Sequence, residues 1–124
     1  MGDKITVINE LKRKVEQFIK DRNWEQYHSP KNLSMSIAIE AAELMERFQW
    51  LEGVNSYNIS KKEKQAIEEE VADIAIYLLD FCNILGIDLS SSIAAKLKRN
   101  GKKYPIGLVK GKAHKYTHYE SKNK

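Results

Sequence analysis

Four carboxylates in two short, similar stretches are the residues of this chain best suited to chemistry. Glu40 and Glu43 lie three residues apart in Glu40-Ala-Ala-Glu43, and Glu70 and Asp73 repeat that spacing thirty residues later in Glu70-Val-Ala-Asp73. On a helix this spacing places both acids of a pair on neighbouring turns of one face, where like charges repel each other. Two such pairs beside apolar stripes therefore predict a cation between them.

The similarity of the two stretches extends to their apolar neighbours, which follow a helical period. The same offset of thirty residues relates Ile37, Ala41, Leu44 and Phe48 to Ile67, Val71, Ile74 and Leu78. The first acid of each pair lies about 60° and the second about 120° to the same side of its stripe. One such pair alone would indicate a solvated charged face, whereas two in one register converge if their helices pack antiparallel.

The kind of donor predicts the kind of cation. Carboxylate oxygens on rigid helices suit Mg²⁺ or Mn²⁺, and the lack of His and Cys among them disfavours Zn²⁺. The Glu-x-x-His pairs of di-iron bundles are also missing from both stretches. Since Mg²⁺ most often binds together with substrate phosphates, we expect a phosphorylated ligand.

Four helices and no convincing strand predict an all-α, bundle-like fold around a central antiparallel helix pair. The expected helices run from about Thr6 to Arg22, Lys31 to Leu51, Lys61 to Leu85, and Asp88 or Ser90 to Asn100-Gly101. Ser29-Pro30 and the Ser60/Glu63 capping box mark two helix starts, while Gly53 and Gly86 mark two ends. We expect residues 1–105 to form one domain and residues 106–124 a basic strap or tail.

Composition places the protein among soluble, intracellular domains. The 124 residues are 42% apolar and 31% charged, with no apolar run of transmembrane length and no signal-peptide core at the start. We therefore expect a cytoplasmic protein without membrane contact.

Two further expectations concern burial. The single Cys82 is expected to be a buried hydrophobic residue. We also expect a homo-oligomer, a dimer or tetramer, because one copy of the chain has little to cover both sides of the central helix pair.

The charge is distributed unevenly along the chain. Residues 96–124 carry ten Lys or Arg against one Glu, and residues 1–95 carry eleven against sixteen acids, within a net charge of +4. An acidic body with a basic end suits a polyphosphate held between metal and lysines, or a nucleic-acid backbone.

A set of motifs in a fixed order carries a resemblance. They are Asn23-Trp24, His28-Ser-Pro-Lys-Asn-Leu33, Glu40-Ala-Ala-Glu-Leu44, Phe48-Gln-Trp50, Glu70-Val-Ala-Asp-Ile74 with Tyr77, Lys96 to Asn100, and Tyr104-Pro105. In this order they resemble the MazG-type all-α nucleotide pyrophosphohydrolases, most closely the short dCTP pyrophosphatase branch. The match spans about Trp24 to Pro105.

The resemblance implies hydrolysis of a nucleoside triphosphate between its α and β phosphates, giving monophosphate and pyrophosphate in nucleotide-pool cleaning. It implies dCTP or a modified pyrimidine deoxynucleotide as substrate and Mg²⁺, with Mn²⁺ as substitute, as cofactor. The metal ligands and catalytic groups would be Glu40, Glu43, Glu70 and Asp73. Phosphates and sugar would contact Lys96, Asn100, Lys103 and Tyr77, and the base would contact Trp24, His28, Asn32 and Trp50.

Other interpretations remain open from the sequence. Trp24, Trp50 and Tyr77 would also suit a packed core, and His28 would also suit backbone groups at a helix entry. Another MazG-type substrate, such as dUTP or a phosphoribosyl compound, fits the same motifs. A non-enzymatic helical module that binds nucleic acid or protein through the basic end is the alternative from another functional class.

Overall fold

The computed structural model describes residues 1–113, which form helices without a β-strand among them. The helices are α1 (Ile8–Asp21), α2 (Pro30–Glu46), α3 (Lys61–Leu85), α4 (Leu89–Lys103) and the short α5 (Ile106–Val109), with 3₁₀ turns at Glu25–Tyr27 and Gly53–Tyr57. The all-α prediction is confirmed. Residues 114–124 of the predicted basic tail lie outside the described residues.

Three helices begin at side-chain caps. Ser29 Oγ, Ser60 Oγ and Asp88 Oδ1 each accept a hydrogen bond from the backbone N–H three residues further on, at 3.2, 3.1 and 2.9 Å. Each bond satisfies one of the amides that a helix start leaves unpaired. At the other end of α3, Gly86 adopts the left-handed conformation with φ 64°. The predicted bounds of α3 are confirmed.

The end of α2 differs from the prediction. The helix stops at Glu46, five residues before Leu51, because the backbone N–H groups of Arg47 and Phe48 bond to carbonyls three residues back. This tightening into 3₁₀ geometry ends the α-helix before Gly53, which begins a 3₁₀ turn instead. Two smaller bounds also differ, since Val7 rather than Thr6 precedes α1 and α4 continues to Lys103.

Helices α2 and α3 form the central antiparallel pair. Contacts at its two ends give the direction, since His28 before α2 meets Asp80 late in α3, and Arg47 at the end of α2 meets Glu63 early in α3. Among residues 1–113, the buried apolar residues are Ile19, Leu33, Leu79 and Cys82. The buried position predicted for Cys82 is confirmed.

The chain divides into two compact units. The first is Met1–Ile87 and holds α1, α2 and α3, while the second begins at Asp88 and holds α4 and α5. In the first unit, Lys12 Nζ donates to the Ile87 carbonyl and Asn83 Nδ2 donates to the Lys12 carbonyl, both at 2.9 Å. These bonds tie α1 to the end of α3. Within residues 1–113 no helix is long and apolar enough to cross a membrane.

Candidate metal centre

Three of the four predicted carboxylates converge between α2 and α3. Glu40 and Glu43 occupy successive turns of α2, and Glu70 reaches them from α3, so that one oxygen of each lies within 4.8 Å of the others. Two oxygens bound to one Mg²⁺ lie at most about 4.2 Å apart. Because neighbouring ligands of an octahedral ion are only about 3.0 Å apart, a shift of each side chain by up to about 1 Å toward a common point would place all three around one ion.

Two oxygens of this group are buried without a partner. Glu40 Oε2 and Glu70 Oε2 are both inaccessible and accept no hydrogen bond from any residue between 1 and 113. A buried carboxylate oxygen without a donor is costly, and such groups in folded proteins are normally paired or bound to a metal. The donor set thus fits a hard divalent cation.

The charges within the centre act on one another. The hydrogen-bonding proximity of Glu40, followed by its negative charge, raises the pKa of the Glu43 carboxyl. Burial raises the pKa of the Glu70 carboxyl, and Glu43 adds to that effect while Arg47 opposes it. Like charges held this close make ionisation of all three acids unfavourable unless a cation offsets them.

The fourth predicted acid, Asp73, does not join the group at that distance. It lies one turn after Glu70 on α3, with an exposed side chain. Its charge still affects the centre, because Asp73 helps to raise the pKa of Glu70 and of the Tyr77 phenol. Asp73 therefore borders the centre formed by Glu40, Glu43 and Glu70.

Tyr77 connects the carboxylates to an aromatic wall. Burial, then the charges of Glu40 and Asp73, raise the pKa of its phenol, which keeps the hydroxyl a hydrogen-bond donor. Its ring centroid lies 6.2 Å from that of His28, and His28 lies 6.3 Å from Trp24. Three of the residues predicted to contact nucleotide thus form one continuous surface beside the carboxylates.

The other two residues predicted for the base pocket differ in setting. Asn32 is exposed in the first turn of α2, where its Nδ2 donates to the Tyr27 carbonyl at 3.0 Å. Trp50 follows the end of α2 and is 88% exposed, so it is not a core residue in this chain. Neither belongs to the ring contacts that join Trp24, His28 and Tyr77.

Asp80 is a functional candidate that the motifs did not identify. It is 4% exposed, and its Oδ2 lies 2.7 Å from His28 Nδ1. The pair forms part of the wall of a cavity of about 370 Å³ on the α1 side of α3. A single acid within the apolar run Leu78-Leu79-Asp80-Phe81-Cys82 is the sequence signal that could have indicated it, since a buried carboxylate needs a partner.

Arg47 is a second functional candidate, and the sequence motifs gave it no role in binding. Its Nη2 lies 3.6 Å from Glu70 Oε1 and its Nη1 lies 4.0 Å from Glu63 Oε2. It also lines a cavity of about 430 Å³ together with Glu43, Glu46 and Glu70. The available signal was its position one turn beyond Glu43, equivalent to that of Tyr77 after Asp73.

The other three residues predicted to contact phosphates and sugar lie in the second unit. Lys96, Asn100 and Lys103 all lie on α4, at spacings of four and three residues that place them on one face. Lys96 and Lys103 are exposed and Asn100 is half-buried. The face is a polar, basic surface of the kind that contacts phosphate.

Comparisons with known proteins find one family and relatives named as pyrophosphatases. A family model described as the MazG-like family matches residues 35–118. The chain is 36% identical over 112 residues to dCTP pyrophosphatase 1 of Bos taurus and 33% identical over 112 residues to that of Homo sapiens. Both alignments cover 89% of this chain and 66% of the relative, so the chain spans about two thirds of their length.

A solved structure resembles the fold. A crystal structure described as a pyrophosphatase from Archaeoglobus fulgidus is similar with a TM-score of 0.75 and 39% sequence identity. The similarity covers 79% of this chain and 92% of that one. At this identity the likeness extends to sequence as well as fold.

Proposed function

The chain belongs to the MazG-like family, and we propose that it is a metal-dependent nucleotide pyrophosphohydrolase. It hydrolyses a nucleoside triphosphate between the α and β phosphates, giving the monophosphate and pyrophosphate. The observation that carries this proposal is the convergence of Glu40, Glu43 and Glu70 within 4.8 Å, with two buried oxygens that lack a donor. The names of the curated relatives and of the structural neighbour support the same reaction class.

The cofactor is Mg²⁺, for which Mn²⁺ can substitute. Glu40, Glu43 and Glu70 would hold it, and Asp73, exposed on the next turn of α3, would complete the ligand set. The ion supplies Lewis-acid stabilisation of charge on the phosphoryl oxygens. Oxygen donors on two rigid helices, with no His or Cys among them, support this choice of metal.

The chain's own groups orient and activate water. Water attacks the α-phosphorus, the bond to the bridging oxygen breaks, and pyrophosphate leaves with that oxygen. A carboxylate oxygen that does not hold the metal, for which we propose one oxygen of Glu43, accepts the proton of the attacking water. The Tyr77 hydroxyl, held as a donor beside these acids, contacts the sugar or an α-phosphate oxygen.

The base lies against the aromatic wall of Trp24, His28 and Tyr77, where ring faces stack on a nucleobase. Asn32 supplies an amide that can read the edge of the base, and Trp50 supplies a further exposed ring. dCTP or a modified pyrimidine deoxynucleotide is the proposed substrate, because the curated relatives are named for dCTP. Lys96, Asn100 and Lys103 on α4 contact phosphates and sugar.

The active form is a homo-oligomer, a dimer or tetramer. Val71, Leu78 and Leu85 recur every seven residues along one side of α3 and are 50%, 36% and 51% exposed. On α2, Met35, Ile39 and Met45 are also exposed. Apolar helical faces of this kind are typical of contacts between protein chains. Residues 1–105 constitute the catalytic domain in this proposal, and residues 106–124 a basic extension.

A substrate panel tests the proposal. Purified protein is given each common nucleoside triphosphate and deoxynucleoside triphosphate with Mg²⁺, and phosphate is assayed with and without added inorganic pyrophosphatase. We expect phosphate only when pyrophosphatase is added, the fastest turnover on dCTP, and loss of turnover in Glu40→Gln and Glu70→Gln. Glu68→Gln, the same change at an exposed position of α3, is the matched control and should retain activity.

The panel also separates the alternatives. Preference for dUTP or a phosphoribosyl substrate would indicate that the protein belongs to another branch of the family. Absence of turnover on every substrate, together with salt-sensitive binding to DNA or RNA, would favour a binding module that uses the basic end.

A further inference from the structure

Arg47 lines a cavity beside the carboxylate centre, and its Nη2 lies 3.6 Å from Glu70 Oε1. Among residues 1–113, four line this cavity: Glu43, Glu46 and Glu70 are acids, and Arg47 is the one cation. The residue follows α2, one turn beyond Glu43. Its guanidinium therefore lies where a ligand entering the cavity would meet a positive charge.

The guanidinium retains capacity for hydrogen bonding. Its nitrogens lie 3.6 Å from Glu70 and 4.0 Å from Glu63, distances too long for hydrogen bonds. The side chain is also 37% exposed. Several of its five N–H donors are thus available to a ligand that offers paired oxygens.

The positive charge of Arg47 favours an anionic group of the ligand, such as a phosphate, at this position. Three carboxylates with one Mg²⁺ leave a net charge of about −1, which repels a nucleoside triphosphate that is itself strongly negative. A cation beside the centre offsets this repulsion. An arginine fork in addition matches two phosphate oxygens at once, which a lysine cannot do.

The order of groups along the helix pair identifies which phosphates Arg47 meets. Tyr77 and His28 lie on one side of the carboxylates, seven or more residues along α3 from Glu70, about 10 Å of helix. Arg47 lies on the other side, near Glu63. A nucleotide with its base on the aromatic wall and its α-phosphate at the carboxylates extends its remaining phosphates toward Arg47.

We propose that Arg47 binds the β and γ phosphates of the substrate, the part that leaves as pyrophosphate. This inference rests on the proposed function. In the absence of ligand the guanidinium pairs loosely with Glu70, and the phosphates replace that pairing. Arg47 is thereby a substrate-contacting residue that favours departure of the pyrophosphate group.

Pyrophosphate binding tests the proposal separately from turnover. Isothermal titration of the full chain with pyrophosphate and Mg²⁺ compares wild type, Arg47→Gln, Arg47→Lys and the control Arg13→Gln, which makes the same change at an exposed position of α1. We expect Arg47→Gln to weaken pyrophosphate binding by about 10- to 100-fold, Arg47→Lys to weaken it less, and Arg13→Gln to leave it unchanged. Binding of dCMP should change little in all variants.

Equal pyrophosphate affinity in wild type and Arg47→Gln would overturn the proposal, whether or not the wild type hydrolyses nucleotides. Tighter Mn²⁺ binding in Arg47→Gln with unchanged pyrophosphate affinity would likewise overturn it, since Arg47 would then serve only as a partner of Glu70. Failure of the wild type to hydrolyse any nucleotide would instead contradict the proposed function.

Discussion

His28 Nδ1 lies 2.7 Å from Asp80 Oδ2, and this pair joins the segment before α2 to the C-terminal half of α3. The contact fixes the orientation of the His28 ring; an Asp80 carboxylate can only accept, so it would place a proton on Nδ1 and leave Nε2 for other contacts. The same ring contacts Trp24 and Tyr77. Asp80 thus positions the aromatic wall through His28.

Removal of the Asp80 carboxylate should destabilise the protein. We expect Asp80→Ala to lower the free energy of unfolding by about 1–3 kcal/mol, because His28 loses its partner in a half-buried place. Asp80→Asn keeps an acceptor oxygen and should cost less. Urea denaturation measures both, with Asp21→Asn on the exposed surface of α1 as a control expected within about 0.5 kcal/mol of wild type. Wild-type stability of Asp80→Ala would show that the pair contributes nothing.

Divalent metal should bind without nucleotide. Titration of Mn²⁺ followed by electron paramagnetic resonance is expected to show binding to wild type that weakens by more than about tenfold in Glu40→Gln and in Glu70→Gln. Each substitution removes an anionic ligand from the group within 4.8 Å. Asp73→Asn should have a smaller effect, since Asp73 borders the group. Unchanged Mn²⁺ affinity in both Gln variants would show that the metal does not bind at this carboxylate group.

The stability of the metal-free protein should depend on pH in a defined direction. The pKa values of Glu43 and Glu70 are raised above the ordinary 4.5, so the folded state binds protons more tightly than the unfolded state. Their contribution to the free energy of unfolding therefore falls as pH rises from 4.5 through the raised values and stays low above them.

Denaturation in EDTA across pH measures this effect. Relative to wild type, Glu43→Gln should become more stable as pH rises through that window, and saturating Mg²⁺ should abolish its advantage, because the ion offsets the charges. Glu68→Gln is the control. A stability difference between Glu43→Gln and wild type that does not vary with pH would contradict the prediction.

We expect the exposed apolar side of α3, formed by Val71, Leu78 and Leu85, to mediate contacts between the chains of an oligomer. We expect wild type to sediment as a dimer or tetramer of the 14.3 kDa chain. The double change Leu78→Glu and Leu85→Glu places charges on that side and should shift the protein toward monomer, whereas Lys64→Glu elsewhere on α3 should not. Monomeric wild type at micromolar concentration would contradict this assignment.

Local signals in the sequence predicted much of the fold. Caps at Ser29, Ser60 and Asp88 and the stop at Gly86 depend on short-range chemistry that a sequence displays directly. The end of α2 was not predictable in this way, because no Gly or Pro marks the change to 3₁₀ geometry at Arg47.

The site was predictable where it depended on repetition. The shared register of the two acid pairs predicted that all four carboxylates would converge, and three of them, Glu40, Glu43 and Glu70, lie within 4.8 Å of one another. The rotation of one helix against another cannot be predicted from the sequence. For this reason the sequence did not show that Asp73 lies outside the group, and it did not identify Asp80. The partner of Asp80 comes from a loop 52 residues earlier, and no periodicity connects the two.

Attack at the α-phosphorus is tested by ³¹P nuclear magnetic resonance of dCTP incubated with the protein and Mg²⁺ in ¹⁸O-enriched water. We expect resonances of dCMP and pyrophosphate, with the ¹⁸O-induced shift on the dCMP phosphorus, and no reaction in Glu40→Gln. Formation of dCDP and inorganic phosphate, or ¹⁸O in pyrophosphate rather than in dCMP, would contradict attack at the α-phosphorus.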